Sequence, residues 1–219
     1  RFAPDIVVIV LVHNDFHESF RPQASRYTSS FLKLRIANGV VSGEIAPAPY
    51  SENWKDTLRQ TALARYFYYR WRVSPGTVTA GIVRLLGVGE AGRFEANVDV
   101  AAVHAALAAV RVATDYAFRR LKGLAERHNF CLLLVMDGVR GAIYQESGGA
   151  TLELNQLAAE MAARHGLALV DLHPIFAADW AQRRERFEFA ADGHWNRQAH
   201  QIAAETVQAW LHQHAGRSN

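Results

Sequence analysis

The sequence predicts an α/β fold, a three-layer α/β/α sandwich in which helices cover both faces of a parallel sheet. Three apolar runs, at 6–12, 132–136 and 167–170, are typical of strands that are buried on both faces. Amphipathic helical segments alternate with these runs, as they do in parallel α/β proteins. A chain of 219 residues, half of them hydrophobic, is also long enough for one sizeable core.

Three segments show helical periodicity, with apolar residues recurring every three or four positions. The first stripe consists of Val103, Leu107, Val110, Ala113, Ala117, Leu121 and Leu124. The second consists of Leu154, Leu157, Ala158 and Met161, and the third of Ile202, Ala203, Val207, Trp210 and Leu211. Asn196 is a favourable N-cap residue and therefore predicts the start of the last helix.

Residues 17–96 depart from this alternation and predict an insertion within a single domain that spans 1–219. An apolar stretch at 31–41 is interrupted by Asn38-Gly39, a pair that is typical of a tight β-hairpin turn. An aromatic-rich helix candidate follows it. Long insertions in compact domains often form lids or binding loops. The aromatic side chains therefore either line a substrate pocket or pack the insertion onto the rest of the domain.

Charge and cysteine content narrow the possible function classes. The formal net charge is only +3, and the chain has no run of basic residues interleaved with aromatic ones, so we expect no nucleic-acid partner. No apolar segment has the length of a membrane span. The single cysteine, Cys131, cannot form a disulfide within this chain and opens an apolar strand, so we expect a buried structural thiol.

We expect the chain to lack part of its natural N-terminus. It begins without Met and enters a predicted core strand almost directly, at Ile6. No signal peptide precedes that strand. Any signal for secretion or for a periplasmic location would therefore lie upstream.

The motif Asp192-Gly193-His194-Trp195-Asn196 contains the main candidates for chemistry. We predict that Asp192 and His194 lie in a loop directly before the last helix. A carboxylate two residues before a histidine can bond one ring nitrogen and leave the other facing a cleft. A general base and its orienting carboxylate need this arrangement. The alternative is that both residues only cap and anchor the helix.

A second motif, Val12-His13-Asn14-Asp15, ends the first apolar run. The side-chain amide of Asn14 is a candidate oxyanion donor, and such a donor can stabilise a transition state by about 3–4 kcal/mol. His13 and Asp15 are candidate substrate-binding residues beside it. An Asn-Asp pair at the end of a strand is also an ordinary turn signal.

Asp137 and Arg140 follow the second apolar run and are further candidates for binding a polar substrate group. They fall at the carboxyl end of a parallel strand, where ligands gather in such sheets. A buried structural ion pair or a turn is the alternative. His13 and His17 are four residues apart, but they follow a strand and need not share a helix face, so we expect no metal site.

These motifs resemble those of the SGNH (GDSL-type) hydrolase family, and the resemblance covers nearly the whole chain. It implies that His194 is the general base, that Asp192 is its partner and that Asn14 is an oxyanion donor. The chain has Val12 and Ala199 where the family has glycine, and its Asp-to-His spacing is one residue shorter than usual. The family's nucleophilic serine lies in an upstream Gly-Asp-Ser block, which implies that it belongs to the missing N-terminal portion.

The resemblance implies ester hydrolysis through a serine ester intermediate, without a metal or organic cofactor. The substrate would be a small-molecule or carbohydrate ester, such as an O-acetylated sugar. Two alternatives remain open. One is acetyl transfer to a polysaccharide hydroxyl on the same fold. The other is a non-catalytic module that binds a glycan or a protein and has lost the nucleophile. No feature of the sequence indicates an oligomeric state.

Overall fold

A computed structural model describes residues 3–18, 32–46, 61–62, 66, 100–145, 152–189 and 192–214. At residues 17, 18, 100–102 and 192 it describes the backbone alone. The chain divides into two compact units, one formed by 1–23, 31–46 and 94–219 and the other by 24–30 and 47–93. All elements described below belong to the first unit. The predicted aromatic-rich helix lies outside the described residues except for Thr61, Ala62 and Tyr66.

The protein is a mixed α/β structure with a parallel sheet, which confirms the broad fold class predicted from the sequence. In chain order the described elements are β1 (Ile6–Leu11), α1 (Asp15–Glu18), β2 (Lys33–Ala37), β3 (Val40–Ile45), α2 (Val100–Ala105), α3 (Leu107–His128), β4 (Cys131–Met136), α4 (Arg140–Ile143), α5 (Leu152–Arg164), β5 (Ala168–Asp171), α6 (His173–Arg183), β6 (Glu188–Phe189), β7 (Asp192–Trp195) and α7 (Arg197–His214).

The parallel sheet has the described strand order β1-β4-β5. Ile6 of β1 pairs with Cys131 of β4, and Leu133 of β4 pairs with Ala168 of β5. Because all three strands run in the same direction, their carboxyl ends meet at one edge of the sheet. The chain leaves that edge at Val12, Asp137 and Leu172, and the candidate site is built there.

Two apolar clusters use alternate residues of the strands, because successive side chains point to opposite faces. One cluster packs Leu132, Leu134 and Met136 of β4 with residues of α3 and α5. The other packs Leu133 and Val135 with residues of α6 and α7. Helices therefore pack against both faces of β4.

The sequence predicted that β1 is buried on both faces, and this prediction is wrong. Ile6, Val8 and Val10 are 45%, 40% and 47% exposed, whereas the alternate residues Val7 and Ile9 pack into the first cluster. The helices that cover β4 and β5 on the second face do not cover β1. Cys131 is likewise exposed rather than buried, because it begins β4 directly beside Ile6.

The helical stripes are confirmed in α5 and revised in α3. In α5 the predicted residues Leu154, Leu157, Ala158 and Met161 are all buried. The single long helix predicted upstream is divided at Ala106 into α2 and α3. Within α3, Phe118 is buried and Ala117 is exposed, because the buried face follows Val110 and Thr114 at a four-residue spacing.

The hairpin predicted within residues 17–96 is present as β2 and β3, which pair antiparallel. Its turn residues Asn38 and Gly39 have φ values of 52° and 73°. A two-residue turn with positive φ at both positions matches the twist of the flanking strands and favours this Asn-Gly pair. The described β2 begins at Lys33, and β3 extends to Ile45.

Candidate active site at the carboxyl edge of the sheet

The segment that contains His194 is a short strand rather than the predicted loop. β7 pairs antiparallel with β6, and the register joins Glu188 with Trp195. Directly after β7, the Oδ1 atom of Asn196 accepts a hydrogen bond from the Ala199 N–H at 3.1 Å, so the predicted N-cap of α7 is confirmed. Strand pairing on one side and a capped helix on the other restrain His194.

Two buried residues hold β7 on either side of His194. The indole Nε1 of Trp195 donates to Oδ1 of Asp137 at 2.9 Å. The guanidinium of Arg140 donates to the carbonyl of Gly193 at 2.7 Å. His194 lies between these two anchored residues and is exposed. The backbone of Asp192 begins β7, but its side chain lies outside the described part of the structure, so its predicted contact with His194 stays a prediction.

Asp137 and Arg140, predicted to bind substrate, are buried and contact the protein itself. Their side chains are only 4% and 9% exposed, and Nη2 of Arg140 lies 3.4 Å from Oδ2 of Asp137. Burial raises the pKa of the Asp137 carboxyl, while Arg140, His13 and the Trp195 N–H partly offset that rise. These contacts correspond to the ion-pair alternative that the sequence left open.

Glu188 adds a second carboxylate to the buried charges beneath β7. Its Oε2 accepts from the Tyr144 hydroxyl at 2.7 Å and lies 3.8 Å from Nη1 of Arg140. Arg186 donates to Oε1 at 3.0 Å. Burial raises the pKa of Tyr144, and the bond to Glu188 adds to that effect. The phenol therefore stays protonated and acts as a donor.

Asn155, on α5, connects the ends of the three parallel strands. Its Oδ1 lies 2.8 Å from Nε2 of His13, so that ring nitrogen is the donor. Its Nδ2 donates to the backbone carbonyl of Asp137 at 3.0 Å and to Oδ1 of Asp171 at 2.8 Å. Sequence reasoning missed this residue. The sequence feature that could have indicated Asn155 is its position as a polar residue directly after Leu154, at the border of the fully buried apolar stripe of α5.

The Asn14 segment forms a tight turn at the end of β1. Oδ2 of Asp15 accepts from the Val12 N–H at 2.9 Å, and the Asp15 N–H donates to the Val12 carbonyl at 3.0 Å. Asn14 is half-buried, and His13 before it is buried against Asn155. The Asn14-Asp15 pair therefore forms the turn that its residue types indicate, and the Asn14 side chain is partly accessible.

A further histidine, His173, lies just after β5 at the same edge. Its Nδ1 accepts from the Val139 N–H at 3.2 Å, and its own N–H donates to Oδ1 of Asp171 at 2.9 Å. Partial burial lowers the pKa of His173, with Asp171 acting in the opposite direction. The accepting Nδ1 requires the neutral ring, so the proton of this imidazole is on Nε2.

Three further findings concern the described part of the chain. Ser42 is the one serine there, and its hydroxyl donates to the Arg35 carbonyl at 3.1 Å within the β2–β3 hairpin. No three His, Cys, Asp or Glu side chains of the described ranges form a cluster that could hold a metal ion. None of the described helices combines the length and apolarity that crossing a membrane requires.

Comparisons with known proteins found no matching family model, no matching curated protein and no matching solved structure.

Proposed function

We propose that this chain is the larger part of an ester hydrolase of the SGNH type, with a three-layer α/β/α sandwich and with His194 as general base. The observation that carries this proposal is a convergence on Asp137. Trp195, next to His194, donates to the Asp137 carboxylate. His13, next to Asn14, is joined through Asn155 to the Asp137 backbone. The neighbours of both proposed catalytic residues therefore meet at one buried residue.

The exposed apolar face of β1 supports an upstream origin of the nucleophile. Ile6, Val8 and Val10 present a stripe of β-branched side chains to solvent. Among the described strands β1 pairs only with β4, so its other edge has no described partner. A further parallel strand beside β1, followed by a helix over this stripe, would bring its own carboxyl end to the Asn14 turn. We propose that the nucleophilic serine lies at that end.

In the proposed reaction, the serine oxygen attacks the ester carbonyl while one ring nitrogen of His194 accepts the serine proton. The Asn14 amide donates to the carbonyl oxygen as it becomes negatively charged. The C–O bond to the alcohol breaks, and His194 returns the proton to the departing oxygen. Water then hydrolyses the serine ester by the same steps. Asp192 holds the His194 ring and stabilises the imidazolium.

Labelling with a fluorophosphonate tests this proposal on the protein with its full natural chain. We expect one serine to be modified in the unsubstituted protein. His194→Ala should abolish labelling and lower turnover of para-nitrophenyl acetate on the order of 10⁴-fold or more, because the general base is lost. The matched control is His212→Ala, which removes an exposed histidine from the last turn of α7.

Since His194 is exposed, we expect His194→Ala to remain folded, and thermal unfolding of the variant checks this. Labelling that persists in His194→Ala would refute its role as base. A folded protein that neither reacts with the probe nor hydrolyses the ester would favour a non-catalytic glycan- or protein-binding module.

A further inference from the structure

An apolar pocket with a volume of about 400 Å³ lies beside the Asn14–Asp15 turn. Its apolar lining comes from the end of β1, from α1, from the β2–β3 hairpin and from α3, and it includes Leu11, Phe16, Leu32, Leu34, Phe118 and Leu121. This volume is within the range of small-molecule sites, which are also mostly apolar.

The polar side chains around the pocket are engaged by other protein groups. Glu44 accepts from the Tyr116 hydroxyl at 2.6 Å and pairs with Arg120 at 3.1 Å. The hydroxyl of Thr114 donates to the Val110 carbonyl within α3. Asp15 accepts from the backbone of its own turn. The pocket therefore offers an incoming ligand apolar surface, with two carboxylates and the guanidinium of Arg120 near it.

We propose that this pocket binds the aliphatic acyl chain of an uncharged ester. Aliphatic and phenylalanine side chains suit a hydrocarbon chain, whose transfer from water is favourable in proportion to the area that is buried. Asp15 would repel the carboxylate of a free fatty acid, and Arg120, which also lines the pocket, is already paired with Glu44. The pocket should therefore bind the ester more tightly than the acid product. The weaker binding of the acid would also favour product release.

The assignment of the pocket to the acyl part of the ester, and not to its alcohol, rests on the proposed function. Leu11 and Asp15 both line the pocket, and they bracket the segment that contains Asn14. An ester whose carbonyl oxygen contacts Asn14 therefore has this pocket next to its carbonyl carbon. The alcohol must face His194, which returns the proton to it. No described residue of β6, β7 or α7 lines the pocket, so the acyl chain is the part that enters it.

Binding of straight-chain alkanols, measured by titration calorimetry on the full chain, tests the pocket without any catalysis. From butanol to octanol we expect the affinity to rise about fourfold for each added methylene. Octanoate should bind more weakly than octanol. Ala117→Trp places an indole into the pocket from an exposed helix position and should weaken octanol binding at least about tenfold.

The matched control is Ala108→Trp, at another exposed position of α3 that does not line the pocket. It should leave octanol binding unchanged. A second pocket variant, Leu32→Asp, alters a side chain that is 48% exposed, so folding should tolerate it. Its charge should also weaken octanol binding. Melting temperatures of all three variants report whether each protein is folded.

Affinity that does not depend on chain length, equal effects of the two tryptophan substitutions, or octanoate binding as tightly as octanol would each overturn the inference. Rates with para-nitrophenyl octanoate and acetate separate it from the proposed function. If His194→Ala leaves turnover intact but Ala117→Trp abolishes octanol binding, the hydrolase proposal fails and the pocket stands. If turnover requires His194 but Ala117→Trp changes neither octanol binding nor the octanoate-to-acetate rate ratio, the pocket fails.

Discussion

Replacing Trp195 by Phe tests the anchoring of the strand that carries His194. The substitution keeps an aromatic ring against Phe176, whose ring centroid lies 6.0 Å away. It removes the indole N–H, which donates to Asp137 at 2.9 Å. The Asp137 carboxylate then loses one of the groups that compensate its burial. We expect both a lower stability and a less well positioned His194.

The expected loss is about 1.5–3 kcal/mol, the range for a hydrogen bond to a charged group. For a chain of 219 residues this corresponds to a fall in Tm of roughly 3–12 °C. The loss should depend on pH in a defined direction. Burial already raises the pKa of Asp137, and the Trp195 N–H opposes that rise, so Trp195→Phe raises the pKa further.

An acid with a raised pKa in the folded protein binds protons more tightly there than in the unfolded chain. Stability then falls as pH rises through the interval between the unfolded and folded pKa values. That interval is wider in Trp195→Phe, so its deficit relative to the unsubstituted protein should be larger at neutral pH than in mild acid.

Urea unfolding followed by circular dichroism at both pH values measures this difference. Trp180→Phe is the control, because the Trp180 indole packs on Tyr144 and makes no hydrogen bond to any described residue. A Trp195→Phe deficit that is the same at both pH values, or no larger than that of Trp180→Phe, would refute the anchoring role. In the ester assay, Trp195→Phe should lower kcat more than it changes KM.

Two further substitutions probe the same edge of the sheet. Asn14→Ala should lower kcat for para-nitrophenyl acetate by about 10²–10³-fold if the amide is an oxyanion donor, and a change confined to KM would exclude that role. Gly138→Ala should destabilise the protein by about 1–3 kcal/mol, since a Cβ there would lie 2.7 Å from the buried Phe176 ring. Thermal unfolding measures this loss, and an unchanged Tm would mean that the Phe176 ring moves freely.

The three parallel strands could be predicted because each lies in a continuous apolar run, and the α5 stripe because its apolar residues recur at a helical spacing. β6 and β7 could not, since neither contains a continuous apolar run and each depends on the other for pairing. A continuous apolar run such as β1 indicates that a strand can be buried. It carries no information on whether another element covers each face, which is why the exposure of Ile6, Val8 and Val10 was missed.

Part of the candidate site could also be predicted from local sequence patterns. The ends of the apolar runs indicate which edge of the sheet carries the site, and the residue type of Asn196 indicates a helix cap. The contacts of Asn155 with His13, Asp137 and Asp171 join residues that are 142, 18 and 16 positions away. Such contacts depend on tertiary packing, and single-sequence patterns do not encode them.

Burial of the charged side chains at this edge of the sheet costs free energy of folding. Asp137, Arg140 and Glu188 are each less than a tenth exposed, and apolar side chains of similar volume are often as stable as a buried ion pair or more so. Apolar contacts, however, tolerate small shifts, whereas the bonds to the Trp195 indole and the Gly193 carbonyl are directional. We infer that these charges serve to position His194, and the larger effect of Trp195→Phe on kcat than on KM is the measurement that separates positioning from simple stabilisation.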